Sequence, residues 1–283
     1  MEQVTELPPL PQRLADAHKG DFGHILIVAG SRGMSGAATL AGRGALHAGA
    51  GLVTVATAVG VSHIVAASHP SFMTWRLDED ADGRISESGA TALLETVSGY
   101  AAVGVGPGLG QSEGVRSMIR RLVATEMPMV FDADALNAIA ETPVGVAKRS
   151  SATVLTPHPG EMARLTGLTT GEIQQDRMTV ASNFATQHKV VLLLKGTNTV
   201  ITDGVRMAIN TTGNHGMATG GSGDVLTGII TALIGQGMPA FEAAQLGAHV
   251  HGLAGDIAAE EFSARYMTSV EIADCLSAAW KRL

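Results

Sequence analysis

Thr219-Gly220-Gly221-Ser222-Gly223-Asp224 runs straight into Val225-Leu226-Thr227-Gly228-Ile229-Ile230. A glycine-rich loop opens an apolar helix, and a carboxylate stands at the junction. The N–H groups at such a helix start have no intrahelical acceptor and carry the positive end of the helix dipole. Together they make a hole for an anion. Asp is a favoured N-cap, and taken alone Asp224 reads as one. A cap needs no run of glycines before it, so the loop favours a second role, and the two are not exclusive. Phosphoryl chemistry on a hydroxyl needs this pairing: N–H groups for the transferred phosphate and a carboxylate to take the hydroxyl proton.

Upstream of this loop lie short apolar runs: Ile25–Ala29, Leu52–Ala56, Ala101–Val105, Met129–Phe131, Ala152–Leu155 and Val190–Leu194. They are nearly continuous rather than alternating, as strands covered on both faces are. Helical patterns over Ala37–Ala50, Gly89–Val97, Glu113–Thr125 and Gly171–Gln187 separate them. The alternation predicts a mostly parallel sheet with helices on both sides. Thr197–Thr202 and Val205–Ile209 flank Asp203-Gly204, a hairpin signal, which adds an antiparallel edge. Two long helices follow, Asp224–Ile234 and Ala240–Glu261. The Pro-rich first twenty residues read as an arm or a short helix. With no composition shift or repeat, residues 1–283 read as one domain.

The chain has 283 residues, 45% hydrophobic and only 16% charged, so a large core is possible. Its 35 glycines, without a period, point to tight turns and close backbone approaches. Aromatics at 4% are too few for base stacking, and a net charge of −7 opposes a nucleic-acid partner. An anionic ligand must therefore be held locally, by loops and helix ends. Cys275 is the single cysteine, which excludes an internal disulfide and a cysteine metal cluster. The N-terminal segment has no basic-then-apolar leader pattern, and no run is apolar enough to span a bilayer. A cytoplasmic protein is the expectation.

Ligands of open α/β sheets bind at the carboxyl ends of the strands, and the polar motifs here all follow strands. They are Gly30-Ser31-Arg32-Gly33-Met34-Ser35-Gly36-Ala37-Ala38, Gly106-Pro107-Gly108-Leu109-Gly110, Asp132-Ala133-Asp134-Ala135-Leu136-Asn137, Thr156-Pro157-His158-Pro159-Gly160-Glu161 and Lys195-Gly196-Thr197. No P-loop and no complete dinucleotide fingerprint is present. Lys195 either snorkels to solvent or holds a nucleotide phosphate. Asp132, Asp134 and Asn137 either cap a helix or bind Mg²⁺ through water. His158, fixed between two prolines, favours a site over an incidental loop. His249 and His251 lie two apart on a helix, share no face, and read as structural.

Taken together, these motifs resemble the ribokinase-like superfamily, and within it most closely the ADP/ATP-dependent NAD(P)H-hydrate dehydratases. The resemblance runs from Lys19-Gly20-Asp21-Phe22-Gly23 through Gly49-Ala50-Gly51-Leu52-Val53 and Gly213-Asn214 to Leu253-Ala254-Gly255-Asp256. It implies a three-layer α/β/α sandwich. It further implies an enzyme that phosphorylates the ring hydroxyl of (6S)-NAD(P)H hydrate with ADP or ATP and then eliminates phosphate, returning the reduced cofactor. Carried over, Asp224 is the base, and the N–H groups of Gly221, Ser222 and Gly223 form the anion hole. Lys195, Gly196, Thr197, Asn198, Thr199 and Gly223 contact the nucleotide. Ala38, Gly108, His158 and Asp224 line the hydrate site. Mg²⁺ bridges phosphates, with Glu161 and Asn137 as water-mediated partners. A homotetramer and reliance on a separate NAD(P)H-hydrate epimerase are implied too, since no epimerase domain precedes Lys19.

A small-alcohol kinase of the hydroxymethylpyrimidine or hydroxyethylthiazole kinase type shares the base and the anion hole. The Pro-His-Pro-Gly-Glu and Lys-Gly-Asp-Phe-Gly motifs favour the dehydratase over it. A non-catalytic nucleotide-binding regulator is the third reading.

Overall fold

The computed structural model describes residues 1–10, 12–141, 146 and 149–283. In chain order the elements are β1 Glu2–Gln3, β2 His24–Val28, α1 Ser35–His47, β3 Leu52–Ala58, α2 Ser62–Ser68, β4 Phe72–Leu77, α3 Glu87–Thr96, β5 Ala102–Val105, α4 Glu113–Val123, β6 Met129–Phe131 and α5 Ala133–Glu141. There follow β7 Thr153–Leu155, α6 Pro159–Thr166, α7 Thr170–Gln175, α8 Arg177–His188, β8 Val191–Leu194, β9 Thr199–Thr202, β10 Arg206–Asn210, α9 Ser222–Gly235, α10 Ala240–Phe262 and α11 Ser269–Trp280.

All ten strands join one sheet, in the order β1-β10-β9-β8-β7-β6-β5-β2-β3-β4. β9 runs antiparallel to both β8 and β10, and every other pairing is parallel. The expected hairpin forms this edge. Asp203 Oδ1 accepts the N–H groups of Val205 and Arg206 at 2.9 and 2.7 Å, closing the turn.

The continuous apolar runs are explained by two cores. On β2, Ile25 and Ile27 face one cluster while Leu26 and Val28 face the other. The first core is built with α1, α2, α9, α10 and α11, and the second with α3 to α8. The result is a three-layer α/β/α sandwich. No helix among the described residues is long and apolar enough to cross a membrane.

The structure departs from the sequence periodicity in three places. One expected helix, Gly171–Gln187, is two. Asp176 interrupts it at φ −145°, and its side chain accepts the Thr179 N–H to start α8. The N-terminal arm contributes β1, which pairs with β10. β4 was missed because an edge strand with a half-exposed face, Phe-Met-Thr-Trp-Arg-Leu, carries no continuous apolar run.

Two features of this topology position the site. The chain moves from β2 to β3 with α1 on one face, and from β5 to β6 with α4 on the other. β2 and β5 are neighbours, so their following loops diverge and leave a crevice at their carboxyl ends, the switch point of the sheet. The second feature is the contact of α1 with α9. A Cβ on Gly228 would lie 1.9 Å from the Ala41 carbonyl oxygen, and one on Gly44 would lie 2.2 Å from that of Val225. Bare backbone on both helices lets α9 sit low against α1, with its first turn at the crevice. Gly228→Ala forces the helices apart. We expect a loss of about 1–3 kcal/mol or more of stability, read as a lower urea midpoint.

Candidate active site

Asp132 at the end of β6 is the centre of the site. Its carboxyl is 1% exposed. Oδ1 lies 2.7 Å from Lys195 Nζ at the end of β8, and Oδ2 accepts from Thr227 Oγ1 at 2.8 Å in α9. One buried carboxylate thus ties two strand ends to the helix that carries Asp224. Glu161 Oε2 lies 3.8 Å from the same ammonium. Burial opposes the charge on Lys195, but Asp132 and Glu161 outweigh it and hold the pKa above the ordinary lysine value. The ammonium is a permanent cation whose side chain is still 20% exposed.

Asp224 stands in the first turn of α9. Among the described residues its carboxyl group makes no hydrogen bond. Burial, and next the charge of Asp132, push its pKa up to about 7, against the pull of Lys195. A carboxylate with that pKa and no partner is suited to accept a proton near neutral pH.

The helix start beside it is open. Gly221 takes φ +89° as the N-cap residue, a conformation that suits glycine. Among the described residues the N–H groups of Gly221 and Gly223 have no acceptor. The Ser222 N–H leans on the Thr219 carbonyl at a long 3.4 Å. The N–H of Asp224 donates to the Gly221 carbonyl at 3.1 Å. A Cβ on Gly223 would stand 3.2 Å from Lys195 Nζ, so the ammonium lies beside the start of α9.

The crevice residues assemble beside this turn. Ala38 is fully buried in α1 under Gly30, while Gly108, at φ +61°, packs against Ala37 and Met34 across the crevice. Ser31 Oγ donates to the Gly108 carbonyl at 2.8 Å, clamping the two loops together. Among the described residues Asp134 makes no ion pair. It accepts the Gly110 N–H at 2.8 Å and Gln111 Nε2 at 3.0 Å, fixing the turn after β5. Between the two aspartates, Ala133 takes φ +48°, strained for a residue with a Cβ.

His158 caps α6. Its Nδ1 accepts the N–H groups of Gly160 and Glu161 at 2.9 and 3.3 Å, which puts the ring proton on Nε2, 3.4 Å from Glu161 Oε1. Glu161 Oε2 accepts the His158 N–H at 2.8 Å in return. Burial and Lys195 lower the pKa of His158, and burial raises that of Glu161. Asn137 turns elsewhere: its Oδ1 accepts from Arg164 Nη1 at 3.0 Å. The loop Lys195 to Thr199 closes on itself through Thr199 Oγ1, which donates to the Gly196 carbonyl at 2.8 Å.

Three participants carry no distinctive signal in the sequence. Thr227 lies inside an apolar helical run, with no signal beyond its i+3 spacing from Asp224. Arg177 braces the loop after β8 by donating Nη2 to the Leu194 carbonyl at 2.8 Å. His251, read as structural, lies 3.3 Å from Ser222 Oγ.

A helix N-terminus with open amides, a half-buried lysine and an aspartate without a hydrogen bond among the described residues, set at a switch point, suits an α/β protein to holding phosphoryl groups. The family model described as NAD(P)H-hydrate dehydratase matches residues 25–278, and the chain belongs to that family. It is 47% identical over 270 residues to a bifunctional NAD(P)H-hydrate repair enzyme of Moorella thermoacetica, covering 94% of this chain and 51% of that one. It is 37% identical to the ADP-dependent (S)-NAD(P)H-hydrate dehydratase of Bacillus subtilis, covering 96% of this chain and 94% of that one. The chain spans about half the length of the bifunctional relatives it matches. The crystal structure of the B. subtilis enzyme co-crystallised with ATP/Mg²⁺ superposes with a TM-score of 0.83, at 33% identity over 96% of this chain and 94% of that chain. A ribokinase-like superfamily protein of Enterococcus faecalis superposes equally well, with a TM-score of 0.83 at 26% identity over 96% of this chain and 92% of that chain.

The raised pKa of Asp224 has a consequence for stability. The folded state binds this proton more tightly than the unfolded chain does. The penalty for ionising Asp224 in the fold is therefore absent below the ordinary aspartate pKa and complete above about 7. Asp224→Asn removes it. The variant should melt several degrees above wild type at about pH 8, with the gap closing toward about pH 4. Equal melting shifts at both pH values would contradict the burial of that charge.

Proposed function

We propose that the chain catalyses the ADP-dependent dehydration of (6S)-NAD(P)H hydrate to NAD(P)H. The observation that carries this reading is the unpartnered Asp224 carboxyl beside the open amides of Gly221 and Gly223, with Lys195 next to the same helix start. The family match and the name of the B. subtilis relative support the substrate and the co-substrate.

Hydroxide is a poor leaving group, and phosphorylation makes it a good one. Asp224 takes the proton of the ring hydroxyl. The oxygen then bonds to the terminal phosphorus of ADP, and the phosphorus–oxygen bond to AMP breaks. The N–H groups of Gly221, Ser222 and Gly223 stabilise the transferred group. Ser222, whose N–H is already shared with Thr219, contributes least. The ring carbon–oxygen bond then breaks with loss of a ring proton, releasing phosphate and the reduced cofactor.

Lys195, Gly196, Thr197, Asn198, Thr199 and Gly223 hold the nucleotide, and Gly108, His158 and Asp224 hold the hydrate, while Ala38, without exposed surface, shapes the crevice from beneath Gly30. Mg²⁺, when bound, neutralises phosphate charge. Among the described residues no three His, Cys, Asp or Glu side chains could enclose a metal ion. The chain therefore fits an ion carried by phosphates and water, with Glu161 reaching it through water. Asn137 fits less well, because the Arg164 guanidinium would stand beside the cation. The reading also implies a cytoplasmic homotetramer, and an epimerase activity that supplies the S form.

The direct test mixes the protein, hydrated NADH, Mg²⁺ and ADP, and follows return of the nicotinamide absorbance together with release of AMP and phosphate. No recovery with ADP or ATP overturns the proposal. A stable phosphorylated product would indicate a kinase instead. Asp224→Asn should lower the rate by about 10²–10⁴ while nucleotide still binds. In wild type, kcat/KM should fall about tenfold per pH unit below about 7, as the base becomes protonated.

A further inference from the structure

His251 is 7% exposed, in the middle of α10, and no step above uses it. Two residues before it, the His249 carbonyl accepts Thr212 Oγ1 at 2.9 Å. His251 Nε2 lies 3.3 Å from Oγ of Ser222, which is itself 8% exposed. Ser222 is the first residue of α9, and the residue before it, Gly221, has no side chain with which to cap.

A serine hydroxyl in the first turn of a helix can bond a free backbone N–H nearby in place of a distant side chain. Here it does not. Among the described residues His251 is the partner of Ser222 Oγ, and that hydroxyl takes no backbone N–H. The N–H groups of Gly221 and Gly223 have no acceptor among the described residues.

We propose that His251 is a positioning residue that keeps the anion hole empty by holding the Ser222 hydroxyl away from the first-turn amides. Without His251 the buried hydroxyl loses its side-chain partner, and the cost of leaving it unpaired drives it toward the open amides of its own turn. The imidazole suits this task. Burial lowers its pKa to about 4, so it forms the hydrogen bond without adding a charge beside Asp224 or Lys195. α10 is also a firm support. One turn further on, Asp256 accepts the Gly213 N–H at 2.9 Å and Asn214 Nδ2 at 3.0 Å, and a Cβ on Gly252 would collide with the Thr212 backbone. The segment His251 to Asp256 therefore fixes both α9 and the loop that precedes it.

The proposal rests on the phosphoryl-transfer reading of this turn, and its test is independent of dehydration. With the protein saturated with AMP, inorganic phosphate is titrated by calorimetry. His251→Ala should weaken phosphate binding about tenfold, equivalent to about 1.4 kcal/mol, while AMP affinity stays within about twofold. His251→Gln, which can still bond the hydroxyl, should restore most of the loss. The deciding measurement is a double-mutant cycle with Ser222→Ala. Once the hydroxyl is gone it cannot fill the hole, so His251→Ala should cost less than about twofold in that background. A packing role would cost the same in both backgrounds, and that result overturns the proposal. So would an unchanged phosphate affinity in His251→Ala, or no phosphate binding by wild type. Should His251→Ala not fold, His251→Leu fills the volume without the hydrogen bond and enters the same cycle. A protein that binds phosphate as described yet fails to dehydrate the hydrate would sink the proposed function alone.

Discussion

The buried carboxylate of Asp132 is the constraint on which the site depends. It is almost without solvent, yet it is satisfied on both oxygens, by the Lys195 ammonium and the Thr227 hydroxyl. An isolated buried charge would cost several kcal/mol, and pairing with hydrogen bonding offsets that cost. The three residues come from β6, β8 and α9, so the pair welds the carboxyl edge of the sheet to the first turns of one helix. The same negative charge reaches Asp224 through a poorly solvated interior and, added to burial, delays its ionisation. Architecture and acid–base chemistry therefore share one cause. Among the described residues the Asp224 carboxyl makes no hydrogen bond, while the Lys195 ammonium and the Thr227 hydroxyl both turn to Asp132.

Close backbone contact is the second condition. The hole at the start of α9 exists only where that helix can descend against α1, and side chains at Gly44 and Gly228 would prevent it. Glycine inside a helix costs about 0.5–1 kcal/mol each relative to alanine. Here the cost sets the height of a functional helix end against the sheet. The switch point between β2 and β5 supplies the adjoining crevice, and the Ser31–Gly108 clamp defines its mouth.

Much of the fold was legible. The strands covered on both faces announced themselves as unbroken apolar runs, and Asp203-Gly204 marked the antiparallel edge. Errors fell where local signals compete. Asp176 reads as an ordinary polar position in a helical stretch, but its side chain captures the Thr179 N–H and starts a new helix. β4 pairs along one side only, so its sequence need not be apolar throughout. At the site, residues on strand-end loops were found because glycine, proline and charge together are rare outside such loops. Thr227, Arg177 and His251 lie within helices, where their type and spacing match ordinary structural positions.

The sequence by itself determined the layer order of the fold, its antiparallel edge and the chemical parts at the strand ends, because periodicity and turn residues act locally. It also placed the chain in its family, through ordered motifs from Lys19 to Asp256. Only the tertiary structure decided which parts meet. Asp132 and Lys195 are 63 residues apart, and Ser222 and His251 are 29 apart. No local rule relates them. Their contacts follow from how far each strand extends and how deeply each helix packs, quantities set by the whole core.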